Sequence, residues 1–171
     1  MHAGEIVALG YRYPTPASLA QLTEALETLP SGDVERHLRR FAGAVAELSL
    51  GEWEELHTAT LDLSAPVVPY VGHIAWGENY RRGAFMADLQ VAMSAAGIEL
   101  DGELPDHIEP ILRYLAIAPE PLADLLDVLP GAVVEMNHTL RKAAPGNPYC
   151  HLFAATVACA ANKPVRLGGR R

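Results

Sequence analysis

Apolar residues recur at spacings of three and four along most of this chain, and prolines and glycines cut that rhythm into blocks. A 3.6-residue repeat lays such side chains on one stripe of a helix, whereas a half-buried strand needs strict alternation. No clean two-residue alternation stands between turn signals anywhere in the chain. The expected fold class is therefore all-α, a single-domain helical bundle. In TPASLAQLTEALETL, Thr15 can cap, Pro16 suits the first helical position, and Leu19, Leu22, Leu26 and Leu29 form one stripe. Asp33 can cap the next block, with Val34, Leu38, Phe41, Val45 and Leu48 inward and Gly51 as its stop. GEWEELHTATLDL reads as a shorter helix with Trp53, Leu56 and Thr60 inward. The segment SAPVVPYVGHIAW breaks the rhythm. Pro66 and Pro69 forbid a continuous helix or ladder, so residues 64–76 read as a Pro-rich, extended apolar connector. Helix resumes near Gly77 and stops at Gly97. Further helices are expected at about 107–117, 120–129, 131–144 and 148–161.

Length suits one domain: 171 residues, half of them hydrophobic, are enough for one sizeable core. Acids outnumber Lys and Arg by 21 to 13. Four of those bases fall in the last ten residues, so 162–171 reads as a basic flexible tail on a 1–161 body of net charge −12. Such a body argues against nucleic acid, whose binding rests on neutralising phosphates; it is compatible with a basic peptide partner, though charge alone favours a well-solvated acidic surface. The longest apolar run, LFAATVACAA, is about half of the roughly 20 residues that span a bilayer, so stable membrane insertion is not expected. The N-terminus lacks the basic start of a signal peptide, and a cytoplasmic protein is expected. Cys150 and Cys159 lie on opposite faces of the last expected helix and read as small hydrophobes, not as a disulfide framework.

Motifs of phosphate loops, dinucleotide folds, nucleophile elbows and zinc sites are missing from the sequence. One enzyme-like pattern appears twice: Glu54 with His57, and Glu135 with His138, both spaced Glu-x-x-His. Di-iron bundles use two such pairs with a Glu from each of two further helices. Glu54 lies about 100° from the stripe residue Trp53, and Glu135 about 200° from Val133, so neither points squarely inward. A di-iron metalloprotein is accordingly the lesser reading.

ELPDHIEPIL, residues 103–112, sets an Asp–His pair before an apolar run. Asp106 can cap the following turn, and Glu109 three residues on completes a capping box. Pro110 is tolerated only in the first turn. On this reading His107 is an exposed first-turn residue whose pKa its acidic neighbours raise. Glu99, Asp101, Glu103, Asp106 and Glu109 place five acids within eleven residues with no Lys or Arg among Glu99–Glu109. Such a rim beside apolar residues suits a basic amphipathic segment, and equally a solvated loop.

These residues resemble the NarJ branch of the redox-enzyme maturation proteins, the NarJ/TorD-type assembly chaperones of molybdenum-cofactor enzymes. Leu9 to Pro14, Leu-x-Tyr-x-Tyr-Pro, is similar to that family's opening motif. PYVGHIAWGENYRRGAFMADL resembles its proline-tyrosine connector and following helix, with Arg82, Gly83, Met86 and Leu89 in matching places. ELPDHIEPIL is similar to its "ELPDHLP" hallmark, and NPYCHLFAA to its last helix. One departure is Arg113 in Leu112-Arg113-Tyr114-Leu115, where members often carry an acid. The resemblance implies a TorD-like helical fold and a protein that is not an enzyme and holds no cofactor of its own. It would bind the basic N-terminal segment of a molybdoenzyme catalytic subunit and assist insertion of the bis-molybdopterin cofactor before membrane docking. Respiratory nitrate reductase is the expected client; a DMSO reductase type of molybdoenzyme is the alternative. The client-binding residues implied are Tyr70, His73, Glu78, Arg82, Asp106 and His107, with Glu103 in support.

Overall fold

Helix α9 (Tyr149–Ala161) is the hub of the fold, and its sequence explains why. Tyr149, Cys150, Leu152, Phe153, Ala154, Ala155 and Thr156 are all buried, so the helix has no wholly wet face. A helix apolar most of the way round must sit inside a bundle. The computed structural model describes residues 1–62 and 66–161. Among them the order is α1 (Ala3–Leu9), α2 (Ser18–Leu26), α3 (Asp33–Ala46), α4 (Leu50–Leu61), α5 (Val71–Trp76), α6 (Tyr80–Ala95), α7 (Ile108–Ile117), α8 (Ala123–Ala143) and α9. The described residues form one all-helical domain without a strand.

Helices α3 and α8 pack along α9, and α1 lies against α7. The α3 stripe buries Val34, Leu38, Phe41, Ala42 and Val45 while its outer side carries the Arg39–Glu35 pair. Phe41 meets Tyr149 edge-on at 5.1 Å, and Tyr11 meets Phe153 in the same way at 5.4 Å. Each fully buried aliphatic or aromatic side chain here contributes about 2 kcal/mol relative to exposure. Gly4 lets α1 press onto α7: a Cβ there would stand 2.8 Å from the Leu112 carbonyl oxygen. Ser49 and Glu52 cap α4 as a reciprocal pair. Gly97, at φ +73°, ends α6 as the sequence predicts.

Several expectations need correction. The connector is only partly extended. Residues 66–70 are irregular, but Val71–Trp76 is helical, because no proline follows Pro69 to forbid a helix there. Residues 63–65 of that connector, and the basic tail 162–171, lie outside the described residues. The two helices expected at 120–129 and 131–144 are one, α8, with Pro130 inside it. Its buried stripe of Leu125, Leu129, Ala132, Val133, Met136 and Leu140 runs through the proline without a change of phase. Pro130 sits on the exposed side, as does Leu126 one turn earlier, so water can serve the carbonyl that the proline deprives of a donor. Thr15 and Pro16 lie in a turn ahead of α2, and Gly51 lies inside α4. Helix α1 and the short α5 have no counterpart among the sequence-based helices.

Candidate functional site

The two capping expectations at ELPDHIEPIL fail together, and their failure builds the site. His107, not Asp106, occupies the N-cap of α7; its Nδ1 accepts the Glu109 backbone N–H at 3.2 Å. Asp106 is 0% exposed and turns inward to Arg82 on α6. Arg82 Nε donates to Asp106 Oδ2 at 2.8 Å, and Nη2 approaches Oδ1 at 3.4 Å. A guanidinium matches a carboxylate fork better than a capped backbone does, and burial makes pairing obligatory. Glu109, assigned to the box, instead pairs with Arg12 at 2.9 Å and with Arg113 at 3.0 Å.

Around the Arg82–Asp106 pair the remaining predicted residues gather. Backbone pairing joins the two segments: Val71 N–H donates to the Asp106 carbonyl at 2.8 Å, and Ile108 N–H to the Pro69 carbonyl at 2.9 Å. Tyr70 and His107 thereby face each other in an isolated antiparallel bridge, with their rings edge-on at 5.1 Å. Tyr70 Oη donates to Glu103 Oε1 at 2.9 Å, and the Arg82 guanidinium lies 5.7 Å from the Tyr70 ring centre. Arg82 Nη1 also donates to Glu78 at 2.7 Å, and the same carboxylate oxygen is 3.0 Å from His73 Nδ1. All seven residues named from the sequence thus belong to one connected cluster.

Burial divides them. Asp106, His107 and Arg82 are buried. Tyr70 and His73 are half-buried, and Glu78 and Glu103 are exposed. Burial pushes the Tyr70 hydroxyl up to about 12, helped by Glu103. The hydrogen bond it donates to Asp106 holds the Arg82 guanidinium further above its usual value. His107 goes the opposite way from expectation. Removal from water lowers its pKa, and this outweighs the pull of Glu103, Glu109 and Asp106. Neutral His107 is also the form that can accept at Nδ1, so cap and protonation state agree.

Three contributors escaped the sequence reading. Gly72 lets α5 rest on the carboxylate: a Cβ there would lie 2.8 Å from Asp106 Oδ2 and 3.2 Å from Arg82 Cγ. A glycine inside the apolar run beside Tyr70 was the available signal. Arg12 and Arg113 converge on Glu109, and Arg113 also donates to the Glu99 carbonyl at 2.7 Å. Arg113 therefore clamps the acidic loop, and the rim carries less free charge than its composition suggests.

The two Glu-x-x-His pairs do not converge. His57 is buried, its Nδ1 2.9 Å from Tyr149 Oη, which also accepts Trp53 Nε1–H at 3.2 Å. Glu135 and His138 are exposed on α8. Among the described residues no three His, Cys, Asp or Glu side chains are placed to share a metal ion. Cys150 and Cys159 form no disulfide. Among the described residues no helix is long and apolar enough to cross a membrane. Comparison with models of known protein families gives no match, and comparison with curated proteins gives none either.

Proposed function

We propose that this protein is a client-binding chaperone of the NarJ/TorD type, taking the basic N-terminal segment of a molybdoenzyme catalytic subunit, with respiratory nitrate reductase as the leading client. Inside this reading the protein works in the cytoplasm, holds the apoprotein and assists cofactor insertion without catalysis of its own. The observation that carries it is the clustering of all seven family-matched residues across two segments more than twenty positions apart. Their burial suggests a division of labour. The Arg82–Asp106 pair and the His107 cap hold the frame, while Glu78, Glu103, His73 and the Tyr70 edge meet the client. Exposed Glu78 can exchange its bond to Arg82 for one to a client Lys or Arg at little cost, since both states keep an ion pair.

Fluorescence titration with N-terminal peptides of candidate molybdoenzymes tests this. The basic peptide of the true client binds, and raising salt weakens it, because exposed charge pairs are screened. Glu78→Gln with Glu103→Gln lowers affinity about tenfold while leaving the melting temperature near that of the wild type. Failure of every such peptide to bind, at low and high salt alike, sinks the proposal.

A further inference from the structure

Helix α6 is apolar on the side where a surface helix is ordinarily polar. Its inward stripe is Arg82, Phe85, Leu89 and Met93, all buried. On the opposite side Tyr80, Ala84, Ala87 and Val91 follow at spacings of four, three and four, and all four are exposed. At about 100° per residue they lie within about 40° of the direction opposite the buried stripe. Single exposed apolar residues need no explanation. Tyr80 at 86% and Val91 at 71%, however, are the most exposed large apolar side chains among the described residues, and both stand on this one stripe.

Charge frames that stripe along one edge only. Arg81 and Asp88, both exposed, flank it on the same side, about 80° from its centre. The other edge carries Gly83, Gln90 and Ser94, all uncharged. Two turns, about 10 Å, separate Arg81 from Asp88 along the helix. Arg81 rests over the Trp76 ring at 5.6 Å, and among the described residues neither side chain makes an ion pair. A two-fold axis passing between Ala84 and Ala87 would lay the α6 of a second copy antiparallel on this face. Each edge then adjoins its own counterpart, as in antiparallel coiled coils. Arg81 comes opposite Asp88 of the second copy, and Asp88 opposite Arg81 of the second copy. The same register sets Tyr80 on Val91 and Ala84 on Ala87, whose small side chains let the two axes approach closely. A parallel alignment would set the charged edge against the uncharged one and pair nothing.

We propose that the outer face of α6 docks on the same face of a second copy of this chain, as a two-fold antiparallel helix pair flanked by two Arg81–Asp88 ion pairs. The interface is isologous: one patch serves both chains, and pairing closes at two. Self-complementary charge selects this occupant. A basic segment would meet one base for every acid along this face, whereas a second copy matches both. The face is also neutral overall on a body of net charge −12, so two copies meet there with opposite charges in contact. Helix α6 has 16 residues and is about 24 Å long. A seam of one such helix falls below the standard interface size, so the dimer is a weak one, with Kd about 0.1 mM.

Sedimentation equilibrium of the full chain between about 10 μM and about 1 mM is the test. A monomer–dimer equilibrium is expected, with half the chains paired near about 0.1 mM. Val91→Glu, at an exposed position on the centre of the stripe, keeps the melting temperature and abolishes pairing over that range. Arg81→Asp alone and Asp88→Arg alone each set like charges opposite one another and weaken pairing about tenfold. Mixed in equal amounts, the two variants pair with each other as tightly as the wild type, because each carries the charges that the other needs. A wild type that is monomeric at about 1 mM overturns the proposal. So do pairing that survives Val91→Glu, and charge variants that pair no better mixed than alone. A client peptide that binds a monomeric chain and is lost with Val91→Glu overturns it as well, and gives the face to the client.

Discussion

The molecule treats buried polar groups in two ways. At the junction of α5, α6 and α7, Asp106, Arg82 and His107 are deeply buried, and each finds its partner there. Along α3 and α9, His37 and His151 are only half-buried, yet each leaves a nitrogen unmatched. Desolvation is therefore not what separates the regions; satisfaction is. A closed network resists change because removing one member leaves another charged and alone. An open group tolerates change, because nothing inside the protein relied on it.

The sharpest way to break this contrast is Asp106→Ala. It strands Arg82 in a buried site and costs about 3–5 kcal/mol in urea unfolding. A loss under about 1 kcal/mol would mean the pair is not the clamp of the junction. Gly72→Ala attacks the same region by volume alone. The added methyl meets Asp106 Oδ2, Phe85 and the Arg82 stem within 3.2 Å, and about 2 kcal/mol of destabilisation is expected from overpacking.

Acid probes a third group of the closed kind. His57 Nδ1 is hydrogen-bonded to Tyr149 Oη inside the core, and burial lowers its pKa to about 4 from the usual 6.5. Between those values the unfolded chain binds a proton that the folded one refuses. Stability from His57 is thus fully present above pH 6.5, declines as pH falls towards 4, and levels off below. His57→Gln removes that slope; the wild type minus the variant gives about 3 kcal/mol lost over the window. An identical acid slope in both proteins would refute the assignment. The smallest effect, and the opposite sign, belongs to the open group. His37→Leu removes an unmatched nitrogen and stabilises the fold by about 0.5 kcal/mol.

What the sequence disclosed follows the same division. Helical stripes were legible because a 3.6-residue period is local: Val34, Leu38, Phe41 and Val45 are inward as spaced. The residues singled out through motif resemblance do cluster, Tyr70 beside the Asp106 segment, although the resemblance offered no geometric reason for it. The roles were not legible. Asp106 looked like a cap because Glu109 stands three residues on, yet its partner Arg82 is 24 positions away. His107 looked exposed and acid-shifted because its sequence neighbours are acidic; its spatial neighbours are Tyr70 and the protein interior. Pro130 looked like a boundary, since only the packing of both flanks onto one side shows that the helix runs through.

The backbone bridge between Tyr70 and His107 carries a consequence for motion. The amides of Val71 and Ile108 are held by the same two-rung knot, one donating to Asp106 and the other to Pro69. Both amides are therefore expected to exchange their hydrogens at one common opening rate, which amide exchange followed by NMR would check. Helices α5 and α6, with the loop that leads into α7, are the chain between those rungs, and hydrogen exchange is expected to find them opening as one cooperative unit. A partner that gripped both rungs would then slow exchange across the whole stretch from 71 to 108, well past the residues it touched.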